Sequence, residues 1–329
     1  MPLSVLDLAP IAEGSDAGQA LRNAAELARK AEELGYKRYW MAEHHSMPGI
    51  ASAATAVALA YVGSQTSSIR IGSGGVMLPN HAPLIIAEQF GTLEALFPGR
   101  VDLGLGRAPG TDQAAAYAMR RNLSSDANAF PNDVVVLMNY FRGQNGRVRA
   151  IPGEGADIPI YILGSSLFGA QLAAILGLPY AFASHFAPQM MMEAIRVYRE
   201  RFQPSEQLDR PYVMLGFNCF AADEDEEAAL LATSIQQAFV SLRTGQPTQL
   251  KPPVAGYAET LPLEARAMLQ DLFSCSAVGS PATVARQVQE FVERTRADEL
   301  IVTSQIYDHR ARLRSYELLM EAVRVRISA

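Results

Sequence analysis

Short apolar runs alternate with amphipathic stretches along most of the chain. The first run, Ser4 to Ala9, stops at Pro10, and small or apolar residues then recur at helical spacing from Leu21 to Leu34 until Gly35. This pair predicts a strand followed by a helix, and the same order repeats down the chain. The predicted strands are residues 4–9, 37–42, 69–73, 101–105, 158–163, 178–184, 211–218 and 298–308.

Eight strands that are each followed by a helix have the count and order of a (β/α)8 TIM barrel. An open doubly wound sheet is the alternative that fits the same alternation. A typical barrel needs about 250 residues, so a chain of 329 residues has room for insertions. Two stretches are long enough: Thr111–Asp157 after strand four, and Gln246–Ser280 between strands seven and eight. We expect one barrel domain over residues 1–329.

The composition narrows the range of partners. The chain is 49% hydrophobic and 19% charged, which is typical of a globular protein. A net charge of −6 argues against nucleic acid and anionic membranes, because both require a basic face. Cys219 and Cys275 form neither a disulfide framework nor a zinc motif. The amino terminus does not resemble a signal peptide and no run is long enough to span a bilayer, so we expect a cytoplasmic protein.

The residues just past the predicted strands are candidates for a site, because barrel active sites are built from those loops. The set is rich in glycine, polar and nearly uncharged. It comprises Pro10, Glu43, His44, His45, Gly74, Gly75, Gly106, Arg107, Gly164, Ser165, Ser166, Ser184, His185, Asn218, Ser304 and Gln305. Glycines at strand ends leave the backbone bare enough for a flat ligand to approach, although each could also be only a tight turn.

Two other chemistries fit this set poorly. A metal-dependent hydrolase needs several convergent ligands, whereas adjacent His44 and His45 in an extended segment point to opposite faces. A sugar-phosphate lyase or isomerase would want a buried lysine or glutamate at a strand end. Lys30, Lys37 and Lys251 lie on a helix, a strand start and a loop, which leaves few candidates for a Schiff base. We therefore expect no metal site and no Schiff base.

A planar phosphorylated cofactor such as flavin mononucleotide (FMN) fits the set better. Arg107 would make a forked contact to the phosphate, and Ser165 and Ser166 would complete the cradle at a helix start. Each of these residues also has a purely structural interpretation. Arg107 would form a surface ion pair, the serines would cap the helix, and His44 and His185 would be hydrogen-bonded core residues.

Six motifs spread over nearly the whole chain are specific in combination. They are LDLAPI, RYWMAEHH, GSGGVMLPNHAPL, AEQFGTLEALFPGRVDLGLGRAPG, LGSS and ASHFAP. Together they resemble the bacterial-luciferase family of flavin-dependent oxidoreductases, nearest to its YhbW-like group. The resemblance implies a (β/α)8 barrel, reduced FMN (FMNH2) as a dissociable cofactor, O2 as oxidant, a separate NAD(P)H:FMN reductase and commonly a homodimer.

The resemblance also implies roles for individual residues. His44 matches the family's catalytic histidine at the end of strand two, and Arg107 matches the arginine that holds the flavin phosphate. The family's phosphate turn after strand five matches Gly164, Ser165 and Ser166.

A further family feature is a non-proline cis peptide beneath the flavin ring, which matches Ser73-Gly74 or Gly74-Gly75. Luciferase itself has a cysteine where this chain has Gly106, so light emission is not expected. Weaker candidates for the flavin and substrate pocket are His45, Met77 and His185.

The implied activity is a monooxygenase that uses FMNH2 and O2, through a C4a-peroxyflavin, on a small organic substrate. Gln246–Ser280 is then the candidate lid, because such an intermediate must be sheltered from water. Two alternatives remain at this point: a flavin carrier or storage protein without oxygenase activity, and a deazaflavin-dependent enzyme that transfers hydride.

Overall fold

The computed structural model describes residues 1–107, 118–119 and 129–327. In this part of the chain nine strands form one parallel sheet, and eight of them close into a barrel. The strands are β1 (Leu3–Asp7), β2 (Arg38–Met41), β3 (Arg70–Met77), β4 (Val101–Gly106), β5 (Ile160–Gly164), β6 (Tyr180–Phe182), β7 (Val213–Ala221), β8 (Ser276–Gly279) and β9 (Glu299–Thr303). The predicted (β/α)8 barrel is confirmed.

The ring closes because β1 pairs with both β2 and β9, and β7 pairs with both β6 and β9. β7 is nine residues long, and it also pairs with a strand outside the ring. Its last residues, Asn218 to Ala221, pair with the short β8, which lies outside the ring. The carboxyl ends of the eight barrel strands therefore share one rim, where loops can assemble a site.

Helices follow the barrel strands and pack around them. Their bounds are α1 (Ala17–Leu34), α2 (Thr55–Ser64), α3 (Pro83–Leu96), α4 (Phe130–Phe141), α5 (Leu167–Leu176), α6 (Met191–Arg201), α7 (Asp225–Arg243), α8 (Leu263–Phe273), α9 (Pro281–Thr295) and α10 (His309–Ile327). α1 shows how the sequence sets these bounds: Asp16 caps its start by accepting from the Gln19 N–H at 2.7 Å, and Gly35 ends it with a φ of 79°. No helix in the described residues is long and apolar enough to cross a lipid bilayer.

β3 is longer than the sequence pattern predicts. The predicted strand stops at Ser73, but β3 continues through Gly74 and Gly75 to Met77. Its register against β4 shifts between Ser73 and Val76, which is the signature of a bulge. The glycine pair therefore lies inside the strand, and not in a turn after it.

Both predicted insertions contain regular structure. α4 lies within Thr111–Asp157, a stretch for which the pattern predicted no helix; residues 111–117 and 120–128 of that stretch lie outside the described residues. Gln246–Ser280 contains α8 and β8. The second insertion therefore extends the sheet beside the barrel.

The first part of this second insertion is tied to the barrel by backbone hydrogen bonds. The Leu250 N–H donates to the Ile11 carbonyl at 2.9 Å, and the Leu250 carbonyl accepts from the Glu13 N–H at 2.8 Å. A side-chain carbon at Gly49 would lie only 2.4 Å from the Thr248 carbonyl oxygen, so the loop after β2 is in close contact as well. This part of the candidate lid is thus anchored to the loops after β1 and β2.

A buried charge network fills the barrel interior at the amino-terminal ends of the strands. Arg38 of β2 donates from Nε to Glu299 Oε1 at 2.8 Å and from Nη1 to Asp102 Oδ2 at 2.6 Å, across the interior to β9 and β4. Its Nη1 also donates to the Tyr161 hydroxyl at 2.8 Å. Trp40 lies one layer higher and donates from its ring to Asp102 at 3.0 Å. The interior is therefore closed at this end.

Candidate active site

The wall between β3 and β4 is made of bare backbone. A side-chain carbon at Gly75 would lie 2.7 Å from the Gly104 carbonyl oxygen, and one at Gly104 would lie 2.3 Å from the Ser73 carbonyl oxygen. The peptide bond between Gly74 and Gly75 is cis, at one of the two positions that the resemblance implies. The close approach of the two strands thus excludes side chains and leaves a flat surface.

Ser73 helps to hold this wall together. Its hydroxyl donates to the Gly104 carbonyl at 2.9 Å and accepts from the Gly104 N–H at 3.0 Å, and Ser73 is fully buried. The hydroxyl of this predicted cofactor residue is thus engaged within the sheet. Beyond it, Met77 places its sulfur 3.2 Å from where a side-chain carbon at Gly106 would lie, so Met77 covers the end of β4.

Arg107 lies at the start of α5, although the two are far apart in sequence. Its guanidinium carbon is 4.2 Å from the ring centre of Phe168, the second residue of that helix. Among the described residues, no carboxylate forms an ion pair with Arg107, so the predicted structural alternative of a surface ion pair finds no support there. A guanidinium beside the positive end of a helix dipole lacks a counter-charge, which is an arrangement that favours an anion.

The turn that leads into α5 is also open to a ligand. Ser166 occupies the N-cap position with extended backbone, yet its side chain makes no capping hydrogen bond. Ser165 is exposed, and the nearest atom to a side-chain carbon at Gly164 would be 3.9 Å away. The predicted capping role requires the serine hydroxyl to accept from the first backbone N–H groups of the helix, and it does not. Gly164, Ser165, Ser166 and Arg107 therefore lie together at this helix start and are a candidate anion cradle.

His44 lies near enough to His185 for its charge to act on that ring, although 141 positions separate the two in the sequence. His185 is held by its backbone, since its carbonyl accepts from Asn218 Nδ2 at 2.9 Å. Its ring occupies space that only glycine leaves: a side-chain carbon at Gly216 would lie 2.1 Å from its Nδ1. That Nδ1 is buried and has no hydrogen-bond partner among the described residues. Burial, together with the neighbouring charge of His44, lowers the pKa of His185 to about 4.

His45 belongs to a different cluster from His44. Its Nε2 lies 2.7 Å from Glu43 Oε1, and the Nε2 of His81 lies 2.7 Å from the same oxygen. Glu43 is only 2% exposed, and its other carboxylate oxygen accepts from the Met77 N–H at 3.3 Å. Burial raises the pKa of Glu43, but the hydrogen bonds and charges of the two imidazoles outweigh this effect and lower it.

The sequence interpretation missed His81 and gave no role to Glu43. Both were within the quoted motifs, Glu43 in RYWMAEHH and His81 in GSGGVMLPNHAPL. One signal was available: in an extended segment the side chains of residues 43 and 45 point to the same face, opposite to residue 44. His81, which comes from the loop after β3, had no such local signal.

A family model and a related protein that match this chain carry the same description. The family described as luciferase-like monooxygenase matches residues 1–299. A protein of Escherichia coli strain K12 described as a luciferase-like monooxygenase is 53% identical over 320 residues, which cover 97% of this chain and 96% of that protein.

Solved structures share the barrel over nearly their whole lengths. The crystal structure of apo-MsnO8 is similar with a TM-score of 0.88 and 34% identity, over 98% of both chains. The oxygenating constituent of 3,6-diketocamphane monooxygenase from Pseudomonas putida, solved with FMN, has a TM-score of 0.72 and 21% identity, over 98% of this chain and 97% of its own. An F420-dependent secondary alcohol dehydrogenase has a TM-score of 0.67 and 15% identity, over 98% of both chains. The last two show the shared fold only.

The lowered pKa of His185 predicts a pH-dependent stability. The ring has an ordinary pKa near 6.5 when unfolded, and its folded pKa is about 4. As the pH falls below 6.5, the unfolded chain therefore takes up a proton that the folded chain does not. The free energy of unfolding should be lower at pH 4 than at pH 7 by about 3 kcal/mol. Urea unfolding of the wild type at pH 7 and pH 4, compared with His185→Gln, measures it. An equal loss of stability in both proteins would contradict the prediction.

Proposed function

The chain belongs to the luciferase-like monooxygenase family, and we propose that it uses reduced FMN and O2 to oxygenate a small organic substrate at the rim of its barrel. The anion cradle is the observation that supports FMN. Arg107 has no carboxylate partner among the described residues and lies at an uncapped helix start. A dianionic phosphate would satisfy the guanidinium, the helix dipole and the orphan N–H groups together.

The glycine wall supports a flat ring system beside that phosphate. Bound reduced flavin would supply two electrons to O2, so that one oxygen atom enters the substrate and the other leaves as water. The wall of β3 and β4 would support the ring, because backbone at Gly75 and Gly104 presents no side chain to it. His44 and His185 lie at the same rim. His185 would remain neutral at working pH, which leaves His44 as the group that holds or moves a proton beside the substrate.

A separate NAD(P)H:FMN reductase is part of the proposal. The similar Pseudomonas putida protein is an oxygenating constituent, a term that implies another component. A dissociable flavin also fits a cradle built from one arginine, one turn and backbone groups.

Hydride transfer with a deazaflavin is the second candidate, because the F420-dependent alcohol dehydrogenase shares the fold. Binding of reduced FMN and of F420 to the purified chain separates the two. Tighter binding of F420, with no O2 consumption in the presence of reduced FMN, would favour hydride transfer.

We also propose a homodimer that buries a face of α2 and α3. Val57 and Tyr61 lie one turn apart on α2 and are 72% and 42% exposed, and Ile85 on the neighbouring α3 is 45% exposed. Exposed apolar side chains grouped on adjacent helices are typical of a protein interface.

Arg107→Ala should weaken binding of FMN about 10- to 100-fold, the usual worth of a hydrogen bond to a charged group. Fluorescence titration of the flavin measures the affinity. Riboflavin, which lacks the phosphate, should bind the variant and the wild type equally. Arg294→Ala is the matched control, because Arg294 also stacks on a phenylalanine ring but lies on α9. Equal weakening for riboflavin and FMN would exclude the phosphate assignment.

His44→Ala should lower turnover by about 100-fold or more, the usual contribution of a general acid or base, and leave FMN affinity unchanged. The assay couples the chain to an FMN reductase and follows product from an aldehyde, ketone or aromatic substrate found by screening. His309→Ala is the control, because His309 begins α10. Wild-type turnover in His44→Ala would remove this histidine from the mechanism. Absence of product with every substrate would point to a flavin carrier.

Val57→Asp should convert the dimer to a monomer, because it places a charge at the centre of the apolar face. Sedimentation velocity of the wild type and the variant measures the change. The matched control is Val254→Asp, at another exposed valine, 46% exposed and outside α2 and α3. A monomeric wild type, or an intact dimer in Val57→Asp, would contradict this interface.

A further inference from the structure

We propose that Glu43, His45 and His81 bind one divalent transition-metal ion of the Zn²⁺ class at the rim of the barrel. These three residues form the rim triad. The inference does not depend on the proposed flavin chemistry, since it concerns groups that the flavin cradle does not use.

The ligand atoms of the rim triad already converge. One carboxylate oxygen and two imidazole nitrogens all lie within 4.8 Å of one another. Each Nε2 is 2.7 Å from Glu43 Oε1. A tetrahedral Zn²⁺ with bonds of about 2.0–2.1 Å needs its donors about 3.3 Å apart. Outward shifts of well under about 1 Å would therefore open the space for an ion.

The donor types and their burial suit such an ion. Two imidazoles and one carboxylate form a set that Zn²⁺ and its neighbours prefer, whereas Ca²⁺ and Mg²⁺ prefer oxygen ligands. The Glu43 side chain is 3% exposed, but those of His45 and His81 are 19% and 25% exposed. The ion could thus reach the site from solvent and keep one position open to water.

The rim triad is also oriented by a further hydrogen bond. Glu43 Oε2 accepts from the Met77 N–H at 3.3 Å, so the carboxylate is aimed by the backbone of β3. His81 follows a short 3-10 turn, and its N–H donates to the Leu78 carbonyl at 2.9 Å. Support of this kind fixes the orientation of metal ligands in proteins. A bound ion would join the loops after β2 and β3, and so stabilise the folded chain.

The competing interpretation is a closed hydrogen-bond cluster in which both imidazoles donate to one carboxylate oxygen. Such a cluster binds no ion, because its nitrogens keep their protons. The two interpretations therefore differ in a measurement that needs neither flavin nor substrate.

Calorimetric titration of the chelator-treated full chain with Zn²⁺ tests the proposal. We expect one Zn²⁺ per chain and a higher thermal unfolding midpoint. His81→Ala and Glu43→Gln should each weaken binding at least about 100-fold, as loss of a ligand should exceed the cost of losing a supporting contact. Co²⁺ in place of Zn²⁺ should give the intense visible absorption of a tetrahedral complex.

Two control variants test the location. His44→Ala removes the adjacent imidazole, which is not part of the rim triad, and His309→Ala removes an imidazole that lies 3.3 Å from the Glu26 carboxylate elsewhere. Both should keep one Zn²⁺ per chain at wild-type affinity. Binding that is unchanged in His81→Ala, or lost equally in His44→Ala, would overturn the assignment.

The wild type alone decides the question if the rim-triad variants fail to fold. The chain has only five histidines, so ¹⁵N-histidine labelling gives a simple NMR spectrum. Zn²⁺ should produce its largest shifts at the Nε2 atoms of two of them. Absence of saturable binding, or equal small shifts at all five, would leave a hydrogen-bond cluster and overturn the metal site.

Discussion

The charge of Arg38 determines how the barrel interior is filled. An unpaired guanidinium in the interior would cost several kcal/mol, and Arg38 is held by Asp102 and Glu299 from strands on either side of it. Burial lowers its pKa, but these two carboxylates outweigh that effect and raise it. Trp40 and Tyr161 pack edge to face with ring centres 4.8 Å apart above the network. Because charges and large rings fill one end of the barrel interior, the carboxyl-terminal rim is the end of that interior left for a ligand.

Much of this fold could be predicted from the sequence because its signals are local. Buried parallel strands and amphipathic helices leave short apolar runs and helical spacing, which the alternation shows. β8 has only the four residues Ser276 to Gly279, and it forms because the end of β7 extends beyond the barrel. α4 contains the run Val134–Val136, which hides its helical period. The course of β3 past Gly75 depends on a bulge against β4, so it is set by tertiary pairing.

The sequence predicted which strand ends carry the residues of the candidate site, but not which of these residues contact each other. The barrel architecture alone placed His44, Arg107 and Ser166 on one rim. The stacking of Arg107 on Phe168 and the contact between His185 and Gly216 depend on how neighbouring strands are aligned. The same holds for Glu43 and His81. Residue 41 is paired with residue 73 in the parallel register of β2 and β3, which brings the two following loops side by side.

The order of the strands in the barrel sets the order of the candidate site residues along the rim. β2, β3, β4 and β5 are consecutive in the barrel, and along the rim they carry His44, the glycine wall, Arg107 and the serine turn in that order. A planar cofactor whose phosphate is held at β4 and β5 would therefore cross the glycine wall toward β2. After β2, Glu43 and His45 meet in one cluster with His81, and His44 is not part of that cluster. The imidazoles of His44 and His45 thus have different surroundings: His45 joins the loops after β2 and β3 through Glu43 and His81, whereas the charge of His44 acts on His185.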